Sequence, residues 1–302
     1  MKVAIAGGSG FIGKHLTQYF LEKRATVILI SRQKRKSEHP LIRNITWAEL
    51  DKSVKPLEGL DAIVNLAGET INQRWTPKAK ERILQSRLES VEKVESMIQR
   101  LETKPVLVNA SAIGIYGKSE TNSFGEDSDL SVEDFLSDVV DKWEAAAEMI
   151  PDTRVVLLRL GIVLDKNGGA FPKMSMPFRL GLGGRIGSGK QVMSWIHIYD
   201  VVRLIDFCIE NENVEGPVNA TSPHPVTNDD FGRMLAKVMN KPYAFPVPSF
   251  LLKLMFGEMS MLLLQGQRVI PHVAITNGFQ FQYPLLEMAL NDLINQGQKA
   301  VN

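Results

Sequence analysis

Short runs of consecutive apolar residues alternate along this chain with longer stretches whose apolar positions recur every three or four residues. Val3-Ala4-Ile5-Ala6 is the first run, and Gly7-Gly8-Ser9-Gly10 breaks it. Over residues 11–21, Ile12, Leu16, Phe20 and Leu21 fall toward one face of a helix. Apolar runs return at residues 26–30, 62–66, 106–109 and 155–160, with the β-branched content of buried strands. Helical spacing fills residues 77–101, opened by Thr76 and Pro77. It also fills residues 132–149, opened by Ser131 with Asp134 three residues on. Buried strands alternating with amphipathic helices predict an α/β fold, a doubly wound parallel sheet with helices on both faces.

The texture changes after Asp165. Residues 166–190 are rich in glycine, with Pro and Met interleaved, and read as a long ordered connection or lid. Helical spacing resumes at residues 201–210, 229–239 and 285–293, and prolines punctuate the chain from Pro223 to Pro284.

 The organisation this predicts is a nucleotide-binding domain over residues 1–165, to which 192–222 return. A smaller mixed C-terminal lobe is then built from 166–191 and 223–302.

Composition narrows the classes. Among 302 residues, 35 basic side chains balance 34 acidic ones, which argues against a nucleic-acid partner. The single cysteine, Cys208, excludes an internal disulfide and suits a reducing compartment. The residues before Gly7 are too few for the apolar core of a signal peptide. The longest apolar stretch, 250–264, carries Lys253 and Glu258, so no membrane span is expected and a cytoplasmic location is. His15, His39, His197, His224 and His272 show no ligand spacing, and no metal site is expected.

The chemistry starts at the first break. A strand, then Gly7-x-x-Gly10-x-x-Gly13, then a helix is the arrangement that receives a dinucleotide. Gly7 turns the chain, Gly10 lets backbone approach the pyrophosphate, and Gly13 lets the helix pack close to the sheet. The helix N-terminus offers N–H groups and a positive dipole end to the phosphates. After the second strand stand Ser31 and Arg32, where an NAD-preferring site usually places a carboxylate. A hydroxyl and a guanidinium suit a 2′-phosphate, so NADP(H) is the expected cofactor. Lys34, Arg35 and Lys36 add positive potential or form a solvated loop.

The segment AGGSGFIG, Ala6 to Gly13, resembles the opening of the extended short-chain dehydrogenases/reductases, which include sugar-nucleotide epimerases. Asn65-Leu66-Ala67-Gly68-Glu69 resembles that family's segment after the fourth strand. Ser86-Arg87, Lys142-Trp143-Glu144-Ala145-Ala146-Ala147, the run GLGGRIGSGKQVMSWIH from Gly181, and LLQGQRVIPHVAITNGFQF from Leu263 resemble one subgroup, the "epimerase family proteins" with a special C-terminal domain. The resemblance implies a Rossmann domain and an oxidoreductase or epimerase acting on a carbonyl or sugar-type small molecule. It implies cofactor contacts at Gly7, Gly10, Phe11, Ile12, Gly13, Ser31, Arg32, Leu66, Ala67, Gly68, Arg87, Lys142 and Val163. Because short-chain dehydrogenases often dimerise through helices, the resemblance also raises a homodimer as an assembly.

In the wider family a Ser or Thr, a Tyr and a Lys handle the proton. Here Ser111-Ala112-Ile113-Gly114-Ile115-Tyr116-Gly117 resembles the strand-end motif. It puts Ala112 at the hydroxyl position, with Ser111 beside it. Lys142 matches the Lys, and Asp138 stands where Tyr belongs. A carboxylate is a poor acid at neutral pH unless burial raises its pKa. Asp138 can instead pair with Lys142 one helical turn on. Tyr116 offers a phenol from the loop, or packs beneath the cofactor. The candidates for proton transfer are therefore Lys142, Asp138, Ser111 and Tyr116. The alternative is a noncatalytic NADP(H) binder, a sensor or scaffold; a pocket filled by Trp143 or Phe171 would favour it.

Three other signals carry less. Gly184 to Lys190 matches GxxxxGK, but Gln191 replaces the hydroxyl a P-loop needs and no buried strand precedes it. His197 reads as structural or substrate-facing, and Asp200 as the cap of the helix that follows. The Met and Leu cluster over 251–264 reads as the second lobe's core or a protomer contact.

Overall fold

A computed structural model of the protein describes residues 1–37 and 39–295. Along the chain the first half runs β1 (Lys2–Ala6), α1 (Phe11–Glu22), β2 (Thr26–Ser31), β3 (Ile42–Thr46), α2 (Trp47–Lys52), β4 (Ala62–Asn65), α3 (Pro77–Arg100), β5 (Val106–Ala112), β6 (Ser123–Phe124), α4 (Phe135–Glu148) and β7 (Val155–Leu160). There follow β8 (Ile162–Asp165), β9 (Gly168–Gly169), α5 (Phe171–Arg179), β10 (Val192–Met193), β11 (Trp195–His197), α6 (Ile198–Glu210) and β12 (Gly216–Ala220). The last part holds β13 (Val226–Thr227), α7 (Asn228–Met239), α8 (Ser249–Phe256), α9 (Met261–Leu264), β14 (Arg268–Val269), α10 (His272–Thr276) and α11 (Leu286–Asn295).

Two compact units result. The first takes residues 1–115, 132–159 and 202–218; the second takes 116–131, 160–201 and the chain from Asn219. The first is built on a seven-stranded parallel sheet in the order β12-β7-β5-β4-β1-β2-β3. Strand order proceeds outward from β1 to β3 on one side and from β4 on the other. The switch point therefore lies between β1 and β4, where doubly wound sheets bind their ligands. Val3, Ala4, Ile5 and Ala6 of β1 and Ala62, Ile63 and Val64 of β4 are fully buried, the outcome expected of strands covered on both faces.

The second unit has its own core of Leu164, Phe171, Phe178, Trp195, Phe231, Leu235 and the α11 side chains Leu286, Leu290 and Leu293. Its sheets are small: β11-β8-β9, β10-β13 and β14-β6.

The structure departs from the sequence reading at several places. Helix α4 starts at Phe135, three residues after the expected start. Asp134 caps it, its carboxylate accepting from the N–H groups of Leu136 at 2.9 Å and Ser137 at 3.0 Å, while Ser137 Oγ accepts from Asp134 N–H. That reciprocal cap satisfies N–H groups on both sides of the helix start. Asp200 does not cap α6. The helix starts at Ile198, and the Asp200 carboxylate accepts from the backbone N–H groups of Gln282 at 2.7 Å and Tyr283 at 2.8 Å. Within the glycine-rich connection stands α5, which the apolar pattern did not show because Pro172 and Pro177 interrupt it. The 251–264 cluster is not core: Leu252 is buried, but Phe250 is 69%, Leu254 81% and Met255 65% exposed.

Candidate cofactor site

Gly7 follows β1 with φ +78°, a left-handed conformation that favours glycine. A Cβ there would also lie 2.7 Å from the Leu66 carbonyl oxygen, so β1 and the segment after β4 meet at the switch point with no room for a side chain. The Gly10 N–H donates to Gly7 O at 2.8 Å and closes the turn. A Cβ on Gly13 would stand 2.5 Å from Gly7 O, which shows how tightly α1 is drawn against the turn. Gly10 caps α1 without any side chain, and the first turn holds no acidic residue. The N–H groups of Phe11, Ile12 and Gly13 thus sit at an uncapped, electropositive helix end, beside backbone approachable through glycine. That arrangement fits a pyrophosphate.

At the end of β2 a cavity of about 300 Å³ opens, bounded by Ser9, Lys14, Ser31, Arg35 and Asn44 among others. The Ser31 hydroxyl donates to Gln33 O at 2.6 Å, so its oxygen keeps the capacity to accept. Arg32 is exposed and holds no ion pair among the described residues. Lys34 pairs with Glu49 at 3.3 Å, so that part of the basic run is a surface contact. Arg35, of the same basic run, lines the cavity.

The segment after β4 is braced from below and from α3. Buried Asn65 donates through Nδ2 to Asn109 Oδ1 at 2.8 Å and to Ser90 Oγ at 3.2 Å, while its Oδ1 accepts from Ala67 N–H. Ser86 Oγ accepts from Glu69 N–H at 2.8 Å, and Arg87 Nη1 donates to Glu69 O at 3.0 Å. The Ser86-Arg87 pair therefore clamps the backbone of one residue, Glu69, on both sides of its Cα. It fixes Leu66, Ala67 and Gly68 with Asn65, Ser90 and Asn109, none of which the sequence reading gave a role of its own. Their signal was faint: an Asn on each of two neighbouring strands, and hydroxyls on the sheet-facing side of α3. Burial holds the Arg87 guanidinium down at about 10, and it remains protonated at neutral pH.

Of the candidates for proton transfer, Ser111, Asp138 and Lys142 lie in the first unit. Ser111 is buried at the end of β5, and its hydroxyl donates to Glu144 Oε1 on α4. The Glu144 carboxylate also accepts from Arg159 Nε at 2.9 Å and Nη2 at 2.7 Å, making a buried ion pair with Ser111 as third member. Lys142 lies two residues before Glu144, about 200° around the helix. It faces solvent and pairs with Asp138 at 2.7 Å. The structure brings Asp138 to Lys142 but neither to Ser111. On the Ser111 side of α4, the residues at the same four-residue spacing are Leu136 and Val140, both apolar. Trp143 is buried against the Arg87 guanidinium, 5.0 Å from centroid to Cζ.

Tyr116 belongs to the second unit. Its hydroxyl donates to Asn219 Oδ1 at 2.8 Å, and its ring stacks on Phe124. Val163 is in the second unit too, buried in β8 opposite Ile196 of β11. Phe171 is in that unit's core. His197 is buried there, its Nδ1 accepting from Tyr199 N–H and its ring 4.0 Å from that of Tyr283. Among the described residues no group of three or more His, Cys, Asp and Glu is placed to hold a metal. None of their helices is long and apolar enough to cross a membrane.

Residues 3–136 match the model of the NAD dependent epimerase/dehydratase family, and residues 247–293 match a Domain of unknown function (DUF1731). Epimerase family protein YfhF of Bacillus subtilis is 41% identical over 300 residues, covering 97% of this chain and 98% of that protein. The structure of human epimerase family protein SDR39U1 (isoform 2) with NADPH superposes with a TM-score of 0.91 at 38% identity, over 98% of this chain and 99% of that one. A nucleoside-diphosphate sugar epimerase from Corynebacterium glutamicum superposes at 0.75 with 27% identity, over 99% of this chain and 60% of that one. Alike in sequence along nearly its whole length and alike in fold, the chain belongs to the NAD-dependent epimerase/dehydratase family, among the epimerase family proteins.

Proposed function

We propose that this protein binds NADP(H) along the glycine turn and the cavity beside it. We propose further that it acts in the cytoplasm as an oxidoreductase- or epimerase-like protein on a small carbonyl or sugar-type molecule. The observation that carries the cofactor reading is the β1–α1 turn, where glycines admit no Cβ and the helix end carries no cap of its own. When bound, the dinucleotide supplies or accepts a hydride at its nicotinamide. The chain's part is to hold it. Gly7, Gly10 and Gly13 admit the pyrophosphate, and the N–H groups of Phe11, Ile12 and Gly13 donate to it. Ser31 and Arg32, helped by Arg35, meet the 2′-phosphate. Leu66, Ala67 and Gly68 flank the adenosine side. The NADPH in the structure of the human relative supports this choice over NAD.

The test is titration with NADPH and with NADH, for wild type, Arg32→Ala and Arg35→Ala. The expected result is NADPH bound at least about tenfold more tightly, with the preference lost in the arginine variants, since one charge-assisted contact is worth about 1.4 kcal/mol or more. No binding of either nucleotide would end the reading.

A second reading, a noncatalytic NADP(H) sensor or scaffold, is favoured by one observation. The hydroxyls of Ser111 and Tyr116 and the ammonium of Lys142 each already hold a protein partner. Nicotinamide absorbance followed across a panel of aldehydes, ketones and sugars separates the two. Turnover that falls in Asp138→Asn and Lys142→Met supports the enzyme. Tight NADPH binding without turnover supports the sensor.

A further inference from the structure

Helix α8 leaves its apolar side chains outside the core of the second unit. Phe250, Leu254 and Met255 are well over half exposed, and Leu252 is the helix's buried residue. The glycine-rich connection extends this surface, because residues 183–187 run beside residues 243–247. Gly183 O accepts from the N–H groups of Ala244 at 2.9 Å and Phe245 at 3.1 Å, Arg185 O accepts from Val247 N–H at 2.8 Å, and Gly187 N–H donates to Val247 O at 2.9 Å. A Cβ on Gly187 would stand 3.7 Å from Cβ of Ser249, the first residue of α8, and one on Gly181 would stand 3.9 Å from Pro242 Cγ. Leu180, Leu182 and Phe245, each more than half exposed, therefore belong to the same stretch of surface as α8. An exposed apolar cluster with a polar rim marks an interaction site.

Charge identifies the partner. Residues 176–190 and 241–264 carry five cations, Arg179, Arg185, Lys190, Lys241 and Lys253, against one acid, Glu258, in a chain whose 35 basic and 34 acidic residues balance. All five cations are exposed, and none holds an ion pair or a side-chain hydrogen bond among the described residues, whereas Glu258 is engaged within the protein. Asp229 of α7, beside Gly189, is taken up by Arg233 Nε at 2.7 Å and by the Tyr243 hydroxyl at 2.8 Å. The turn 184–190 resembles a nucleotide loop in spacing only, and its Arg185 and Lys190 are two of these five cations. A second copy docked about a two-fold axis would set this like-charged surface against itself. An anionic bilayer meets both parts of it: the headgroups take the cations, and the acyl boundary takes the apolar side chains of a helix lying in the interface.

We infer that the α8 face of the second unit is a peripheral membrane contact, which takes the surface of an anionic phospholipid bilayer. Phe250, Leu254 and Met255 enter the boundary between headgroups and acyl chains, and the five cations meet the lipid phosphates. Helix α8 has eight residues. At about 12 Å it lies on the bilayer and does not cross it. The inference needs no part of the cofactor reading.

The experiment sediments the full chain with vesicles of phosphatidylcholine alone and of equal parts phosphatidylcholine and phosphatidylglycerol, at low and high salt. The expected result is binding to the anionic vesicles only, weakened by salt. One cation near an anionic surface is worth about fivefold in partition, so the double variant Arg185→Gln, Lys190→Gln should bind roughly 25-fold more weakly. The double variant Phe250→Ser, Leu254→Glu should lose binding. Met149→Ser removes an equally exposed apolar side chain from the first unit and should bind as wild type does. Thermal melting checks that each variant folds; should the α8 variant fail to, the Arg185 and Lys190 variant decides by itself. No binding to anionic vesicles, equal binding to both vesicle types, or binding unchanged in both surface variants overturns the inference. Protein that ignores vesicles but dimerises in analytical ultracentrifugation, with the dimer lost in Leu254→Glu, overturns it and gives the face to a second copy. Protein that ignores vesicles but binds poly-L-glutamate through Arg185 and Lys190 overturns it in favour of an acidic polypeptide.

Discussion

Single side chains in the first unit are set by what touches them, and substitution effects follow. Gly13→Ala forces a methyl to within 2.5 Å of Gly7 O, against backbone that cannot swing aside. The expected outcome is about 1–3 kcal/mol of lost stability in urea unfolding, with NADPH affinity lost alongside. Glu144→Gln removes the carboxylate between Arg159 and Ser111, leaving a buried guanidinium poorly compensated. Breaking such a pair from one side costs about 3–5 kcal/mol, so the variant's thermal midpoint should fall by many degrees. Cys208 supplies the pH dependence. Complete burial pushes its thiol up to about 12 from an ordinary 9.0. The folded state thus holds this proton more tightly than the unfolded state. Its contribution is complete below about pH 9 and is lost as pH rises from there toward 12. Cys208→Ala should unfold with a shallower alkaline decline than wild type, and the native thiol should resist a disulfide reagent until the chain unfolds. At this scale the sequence showed the glycines plainly, because their spacing has one local cause. It did not show that Ser111 serves Glu144, since that contact joins residues 33 positions apart.

Elements were legible where hydrophobic period and local caps agree. Helix α3 begins at Thr76 and Pro77 as the residues predict, the Thr76 hydroxyl accepting from Ala79 N–H. On α4 two acceptable caps competed, and the one with reciprocal bonds prevailed. Asp134→Ala should cost about 1 kcal/mol, measured by urea unfolding. Which side of α4 faces β5 is a tertiary fact, fixed by Glu144 and Trp143. For that reason a four-residue Asp138-Lys142 spacing in the sequence could look like a relay and yet lie on the solvent face. As an exposed ion pair it should contribute about 0.5 kcal/mol or less, so Lys142→Met should leave the melting temperature almost unchanged. Helix α8 shows the opposite failure: an apolar composition suggests burial, but packing decides it. Leu254→Lys should be nearly neutral for stability in the same assay, because that side chain is already 81% exposed.

Across the whole molecule, alternating strands and helices predicted the doubly wound sheet, and the NADPH-bound human relative shares that fold. The grouping of residues was harder to see, because units are defined by contacts and not by chain order. The first unit is interrupted twice. Its α6 segment returns only after the excursion through residues 160–201, and it anchors to α1 where Tyr19 and Lys23 meet Asp206 at 2.8 and 2.6 Å. Arg154, at the entry to β7, then bonds the carbonyls of Cys208, Ile209 and Val214. This threading has a consequence for biosynthesis. A ribosome that has released only the first 160 residues presents a sheet whose β7 edge is open and whose α1 lacks its neighbour. The first unit closes only when residue 218 has cleared the exit tunnel, so the emerging chain must carry an exposed strand edge, the kind that chaperones shield, through the synthesis of most of the segment in between.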